Sequence, residues 1–281
     1  TKPWLSLLVN SSVLYNCLKW NFSWLPGTGH SLNFGMNSIL YNIMPGEQLP
    51  SGIGSEIIPV ILAREKASES ALYVTDNFNI SPDLQVDIGI RYSLFTSLGP
   101  STVYSFDPGS PRTRYTITDS VLYKRNEPVR IYSGLEPRIT LRFNLSDDQS
   151  LKLSYNRIHQ YINLVSNTAV ATPWDVWKLS SPALKPLRCD HISLGYFRNF
   201  MENSLESSVE VYYKWLKNTI DYKNGASLLL NPYIETELLN TRGRNYGIEL
   251  FVRKNTGKLT GWASYTFSRS LQRTSSIIED E

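Results

Sequence analysis

Apolar and polar residues alternate strictly through long stretches of this chain, the period of a β-strand whose successive side chains point to opposite faces. In 205–215, Leu205, Ser207, Val209, Val211, Tyr213 and Trp215 share one face, and Glu206, Ser208, Glu210, Tyr212 and Lys214 the other. In 138–145, Ile139, Leu141, Phe143 and Leu145 oppose Arg138, Thr140, Arg142 and Asn144. In 86–94, Val86, Ile88, Ile90, Tyr92 and Leu94 oppose Asp87, Gly89, Arg91 and Ser93. The same period predicts strands over 18–24, with Leu18, Trp20, Phe22 and Trp24 together, and over 259–268, with Leu259, Gly261, Ala263, Tyr265 and Phe267 together. About ten strands fit the chain, each roughly 10 to 15 residues long against a mean near 5 to 6 in globular proteins. No helical period of useful length appears.

Tight-turn clusters separate pairs of these strands: Pro26-Gly27-Thr28-Gly29, Ser81-Pro82-Asp83, Ser146-Asp147-Asp148-Gln149, Met201-Glu202-Asn203-Ser204 and Asn255-Thr256-Gly257-Lys258. Such residues supply positive φ, fixed φ or local side-chain hydrogen bonds. Between the clusters lie long stretches rich in Pro, Ser, Asn and aromatics, at 44–64, 99–130, 166–187 and 222–243, which are expected to be loops. Short turns on one side and long loops on the other are the plan of outer-membrane barrels. Phe22, Trp24, Phe78, Phe143, Phe197, Phe200, Tyr265 and Phe267 crowd near the turns, as an interfacial aromatic girdle would. The expected fold class is all-β: an antiparallel transmembrane β-barrel, incomplete, with about ten strands of a larger barrel. Alternation and a charged polar face (Arg91, Arg138, Arg142, Glu206, Glu210, Lys214, Glu249) suit a soluble β-sandwich as well.

Composition narrows the function classes. The 281 residues carry a net charge of +3, too little for the dense basic face of a nucleic-acid binder. The longest apolar run, Ile57 to Ala63, is interrupted by Pro59 and is far short of a transmembrane helix. Mean hydropathy is −0.25, which is no argument against a barrel, since barrel strands offer only alternate residues to lipid. Cys17 and Cys189 make no disulfide framework and are expected as small buried residues. The chain starts at Thr1 without a signal peptide and reaches Glu281 just after a strand-like run, so 1–281 is expected to be part of a longer protein.

The stretch from Val211 through Asn-Thr-Ile-Asp-Tyr (218–222), Gly243-Arg-Asn-Tyr-Gly-Ile-Glu-Leu (243–250) and Lys254-Asn-Thr-Gly-Lys-Leu-Thr-Gly-Trp-Ala-Ser-Tyr-Thr-Phe to Ser270 resembles the late-barrel region of TonB-dependent outer-membrane receptors of the Bacteroidetes type. The resemblance is specific over about 60 residues and general elsewhere. It implies a 22-stranded barrel around an N-terminal plug, importing a large nutrient such as a siderophore, vitamin complex or oligosaccharide with energy passed on by TonB. In that reading 1–281 is a partial barrel, with the plug domain and signal peptide absent. The partners it implies are outer-membrane lipid, the plug, TonB and an extracellular ligand, with no nucleic acid and no cofactor. Gly243 and Gly247 are expected where a strand bends or twists near a rim.

Catalytic chemistry is missing from the sequence. His30, His159 and His191 have no carboxylate or cysteine at metal spacing, and there is no nucleophile elbow or phosphate-binding glycine loop. Aromatic and basic residues in the predicted loops are candidate ligand contacts: Trp174, Trp177 and Lys178 in 166–187, and Tyr104, Arg112, Arg114 and Tyr115 in 99–130. Such groups hold an anionic chelate or a sugar face, and they equally serve a loop's own packing. Three sequons, at Asn10, Asn21 and Asn144, are expected as chance matches. A passive porin and a soluble binding module are the competing readings.

Overall fold

The computed structural model describes residues 7–27, 29–51, 54–166 and 175–274. In chain order the strands are β1 (Leu7–Trp24), β2 (His30–Pro50), the two-residue β3 (Val60–Ile61), β4 (Glu65–Ser81), β5 (Leu84–Leu98), β6 (Ser101–Phe106) and β7 (Ile117–Tyr123). They continue as β8 (Pro128–Ser146), β9 (Gln149–Gln160), β10 (Ile162–Val165), β11 (Val176–Leu179), β12 (Leu187–Phe200), β13 (Leu205–Tyr222), β14 (Leu238–Lys254) and β15 (Gly261–Thr274). One antiparallel sheet runs in the order β1-β2-β4-β5-β8-β9-β12-β13-β14-β15, with β3 added to β2. Every long strand therefore pairs with the next long strand of the sequence, and the sheet is open among the described residues.

All five tight turns fall where the sequence places them, between β1 and β2, β4 and β5, β8 and β9, β12 and β13, and β14 and β15. Leu259 is the exception in the strand reading, because the last turn extends through Thr260 and β15 begins at Gly261. The stretches expected as loops are more ordered than that. β2 continues to Pro50 and β14 begins at Leu238, so both strands project well into them. The 99–130 stretch contains the β6–β7 hairpin, and the hairpin of β10 and β11 closes across 166–187. Strand pairing satisfies backbone groups that an irregular loop would have to leave to water.

Burial decides what alternation alone leaves open. On β5, Ile88, Ile90, Tyr92 and Leu94 are exposed, while Ser93, Phe95 and Ser97 on the other face are buried. Leu135 on β8, Leu153 on β9, Ile192 and Leu194 on β12 and Val209, Val211 and Trp215 on β13 repeat the exposed apolar side. No second layer covers that face among the described residues. A soluble sandwich would bury it against a partner sheet; here the apolar side is the outside, as a lipid-facing wall requires.

The buried clusters lie at the loop end of the opposite, polar face. Ile43, Ala67 and Phe95 from β2, β4 and β5 pack with Tyr161 and Leu179 of the β10–β11 hairpin. Val165 and Val176 of the same hairpin pack with Leu228 and Ile234 from the stretch before β14. The hairpin thus folds back over the polar face and supplies its own core there. Most girdle aromatics stand on the apolar side, including Trp24, Phe143, Phe200 and Tyr265, all exposed. Phe197 is the departure: strand parity puts it on the polar side, where its ring fills the space a side chain at Gly195 would take, 2.7 Å from that position. Cys17 is exposed and Cys189 half-buried, so the expected burial of both fails for Cys17.

The rim expected for Gly247 is not where it lies: it sits near the middle of β14, and its small size serves packing between strands instead. A Cβ there would lie 2.6 Å from the Phe267 carbonyl oxygen and 2.9 Å from the Tyr212 hydroxyl. The Tyr212 ring lies across the glycine from the neighbouring strand, covering backbone that no side chain at 247 can shield.

Candidate functional site

Two polar constructions occupy the loop half of the polar face. The first lies within the sheet. The Arg91 guanidinium stands 3.5 Å from Glu69 and 3.4 Å from Glu136. Tyr41 donates to Glu69 at 2.9 Å, and Ser93 donates to Glu136 at 2.7 Å. Tyr161 closes the chain through a 2.8 Å hydrogen bond with Ser93, and its ring stacks on Phe95 at 4.8 Å. One cation between two carboxylates, each carboxylate also held by a hydroxyl, is a satisfied network that orders the wall.

The second construction holds the infolded hairpin. Lys178 pairs with Glu65, whose carboxylate also accepts the Leu179 N–H at 2.8 Å. Glu235 lies 4.0 Å from the same ammonium and accepts a hydrogen bond from Ser181 at 3.0 Å. Burial alone would lower the Lys178 pKa, but the Glu65 and Glu235 carboxylates outweigh it and hold the value above that of an ordinary lysine. The ammonium is therefore a fixed charge at physiological pH.

Beside this pin opens a cavity of about 320 Å³. Its walls come from β6 (Tyr104, Phe106), β11 (Lys178) and the stretch before β14 (Asn231, Tyr233, Glu235). The Tyr104 and Tyr233 rings meet at 5.6 Å, and burial, then Tyr233 and Glu235, push the Tyr104 hydroxyl pKa up. Arg114 lies over Tyr233 at 6.0 Å and over Tyr115 at 5.7 Å. Arg112 lies over Phe106 at 5.9 Å, and its carbonyl oxygen accepts from Lys223.

The candidate residues named from the sequence separate accordingly. Tyr104 and Lys178 line the cavity, and Arg114 reaches it through Tyr233. Tyr115 is 89% exposed, and Trp177 is 38% exposed between its buried neighbours Val176 and Leu179. Trp174 lies outside the described residues. Sequence reasoning named neither Tyr233 and Glu235 nor the partner Glu65. Tyr233 and Glu235 lie in 222–243, which stood out only as long and polar, although Pro232-Tyr233 offers a rigid turn carrying an aromatic ring, and Glu65 lies just past 44–64, at the start of β4. The described residues contain no group of three or more potential metal ligands.

Comparison with solved structures finds the same fold in parts of several outer-membrane proteins. The chain aligns with the FrpB iron transporter from Neisseria meningitidis (F3-3 variant) at TM-score 0.57 and 14% identity, covering 93% of this chain and 36% of that one. It aligns with the alcaligin outer-membrane receptor FauA from Bordetella pertussis at TM-score 0.53 and 15% identity, covering 95% and 40%. With the Serratia marcescens hemophore receptor HasR the values are 0.55 and 14%, covering 94% and 42%. The chain thus spans well under half the length of these proteins. A comparison with curated proteins found no match. The family model described as "TonB dependent receptor-like, beta-barrel" matches residues 5–280. With that match across almost its whole length, on a sheet whose apolar face is turned outward, this chain belongs to the TonB-dependent receptor β-barrel family of the Gram-negative outer membrane.

Proposed function

We propose that this chain forms part of the wall of an active importer that captures a large nutrient at the extracellular mouth. The nutrient class is a siderophore, a vitamin complex or an oligosaccharide. The supporting observation is the infolded mouth: the β10–β11 hairpin is pinned over the polar face by Lys178 and Glu65, beside a cavity walled by Tyr104, Phe106 and Tyr233. Tyr104, Arg114 and Tyr233 offer flat rings and a cation to an anionic chelate or a sugar face; Trp174, Trp177, Arg112 and Tyr115 would make outer contacts. The partners of the working protein are a plug domain within the barrel and TonB on the periplasmic side. The motifs over 211–270 support assigning it to the Bacteroidetes kind of receptor.

The test is uptake by cells carrying the full-length receptor, with and without a functional TonB. Radiolabelled ferric siderophores, cobalamin and maltooligosaccharides serve as probes. Saturable uptake of one probe that vanishes without TonB supports the proposal, and its loss in Tyr104→Ala or Tyr233→Ala places capture at this mouth. Linear, TonB-independent diffusion of all probes would establish a passive channel instead.

A further inference from the structure

The wall is split in its loop half, between β8 and β9. Below the split the two strands pair from Ser146 and Gln149 up to Arg138 and Asn156. Above it each keeps only its other neighbour: β8 stays on β5 as far as Pro128, and β9 stays on β12 as far as Gln160. A single residue accounts for this. The Asn144 N–H donates to the Asp83 carbonyl oxygen at 2.7 Å. Hydrogen-bonded and non-bonded pairs alternate along an antiparallel ladder. Even-numbered residues of β8 therefore direct their N–H and C=O to β5, and odd-numbered ones to β9. Pro137 is the first odd-numbered position above the last pair, and a proline has no N–H to give. The ladder to β9 stops where its next donor is missing.

Side chains, not strand pairing, close the inner side of the split. The His159 ring occupies the space a side chain at Gly134 would take, and its Nδ1 lies 3.5 Å from Glu136. Tyr161 bonds Ser93 and stacks on Phe95, drawing the chain after β9 inward. What stays open is the edge of β8. Ile131, Ser133 and Leu135 direct their backbone groups into the split, and among the described residues no strand pairs with them there. Leu141 shares a row with Leu153 and Leu194, so depth can be read along β8 from that row. Pro137 lies ~13 Å above it along the strand, or ~10 Å along the membrane normal at a tilt near 40°. On the same scale Leu135 lies at ~15 Å and Ile131 at ~25 Å. With Leu194 near the midplane, the open edge begins about where the hydrocarbon core ends and runs outward from there. Bare backbone groups are excluded from lipid, but at this level they meet headgroups and water.

We propose that this edge takes an extended peptide from the extracellular side, added to β8 as a further strand. An added strand matches donors and acceptors that recur every second residue; main-chain bonds give affinity and alternate side chains give specificity. The β5–β8 pairing holds the edge extended, with Pro137 at its lower limit and Pro128 where β8 begins. Outward side chains of the peptide would stand beside Ile131 and Leu135, 57% and 54% exposed, which suits apolar residues. Inward ones would stand beside Tyr132, whose hydroxyl donates to the Ser181 carbonyl oxygen at 2.8 Å. Val129, above the edge, also lines the cavity of the mouth, so the peptide would reach β8 from a region open to ligands. The proposal rests on the orientation of the wall, with its loops outside, and not on the nutrient carried.

The test uses the full-length receptor in phosphatidylcholine nanodiscs. The probe is a fluorescent heptapeptide of alternating threonine and valine with blocked ends, beside its fully N-methylated twin, which has the same side chains and no N–H. Binding is read by fluorescence anisotropy against receptor-free nanodiscs, and heat-modifiable gel mobility shows that each variant has formed its barrel. Wild type should bind the peptide at least tenfold more tightly than the twin. Ser133→Pro removes an N–H that faces the split and spares the even-numbered bonds to β5, so binding should fall at least tenfold. Pro137→Val supplies the missing donor and lets β9 pair further up β8; it should also weaken binding, and it serves if Ser133→Pro fails to fold. Residue-resolved amide exchange gives a direct view. The Ile131, Ser133 and Leu135 amides should exchange fast and those of Tyr132 and Gly134 slowly, and the peptide should slow the first set. No binding to wild type, equal binding of peptide and twin, or undiminished binding by folded Ser133→Pro would overturn the proposal. So would loss of binding in Tyr104→Ala with Ser133→Pro unaffected, which would move the peptide into the cavity. TonB-dependent uptake is measured separately, so either reading can fail without the other.

Discussion

Placing a cation in the middle of the apolar side tests the orientation of the whole wall. Leu194 is the position of choice: it is 47% exposed and paired on either side with Leu153 and Val211, themselves exposed. It lies about six residues from the turn end of β12, ~20 Å along the strand and ~15 Å along the normal at a tilt near 40°. That is close to the middle of an apolar band ~25 Å tall. Arginine at the midplane of a barrel wall costs about 2–4 kcal/mol, a shift of roughly 30- to 900-fold in the folding equilibrium. Were the same face in water, exchanging one exposed side chain for another would cost within ~0.5 kcal/mol. Leu259→Arg is the matched control, a leucine 78% exposed in the turn before β15, beyond the band. The assay is guanidinium unfolding of the full-length receptor in lipid vesicles, followed by tryptophan fluorescence. Leu194→Arg should lower the midpoint clearly and Leu259→Arg hardly at all. Equal midpoints for the two variants would refute the assignment of the apolar side to lipid.

Three further outcomes follow from the packing. Lys178→Met leaves Glu65 half of a broken buried pair, a change of about 3–5 kcal/mol, so amide exchange in β10 and β11 should rise at least tenfold without loss of the main sheet. Because the Lys178 pKa is raised in the folded protein, its contribution is complete below the ordinary lysine value near 10.4 and is lost as pH climbs through the higher folded value; protection of the hairpin should be flat at neutral pH and fall only in strong alkali, and the methionine variant should lack that alkaline step. Phe95→Ala removes a fully buried ring stacked on Tyr161 and should cost about 3–5 kcal/mol in the same unfolding assay. Gly247→Val drives a side chain into the Phe267 carbonyl and should cost about 1–3 kcal/mol, whereas Gly27→Ala, with nothing within 4 Å, should be neutral.

What was legible in the sequence is what a few neighbouring residues determine. Period-2 alternation and turn chemistry are local, and they locate five of the ten long strands by residue, the approximate number of strands, and all five tight turns. The direction of the faces is not local. Ile88 and Ile90 alternate with Gly89 and Arg91 identically in a sandwich and in a barrel, and only the absence of a covering layer shows which side is outside. The same limit applies to the mouth. Lys178 meets Glu65 across 113 residues, and Tyr104 meets Tyr233 across a comparable span, so no window of sequence contains the pair. Trp177 and Lys178 are adjacent and look equally available as loop residues. Once Val176–Leu179 pairs as a strand, one side chain turns outward and the other inward to the carboxylates. Register also works the other way: Arg188, Lys217, Arg242 and Arg273 are scattered through the chain and unremarkable one by one, yet strand pairing lines them up. Register is thus the step at which local pattern becomes a surface with chemistry.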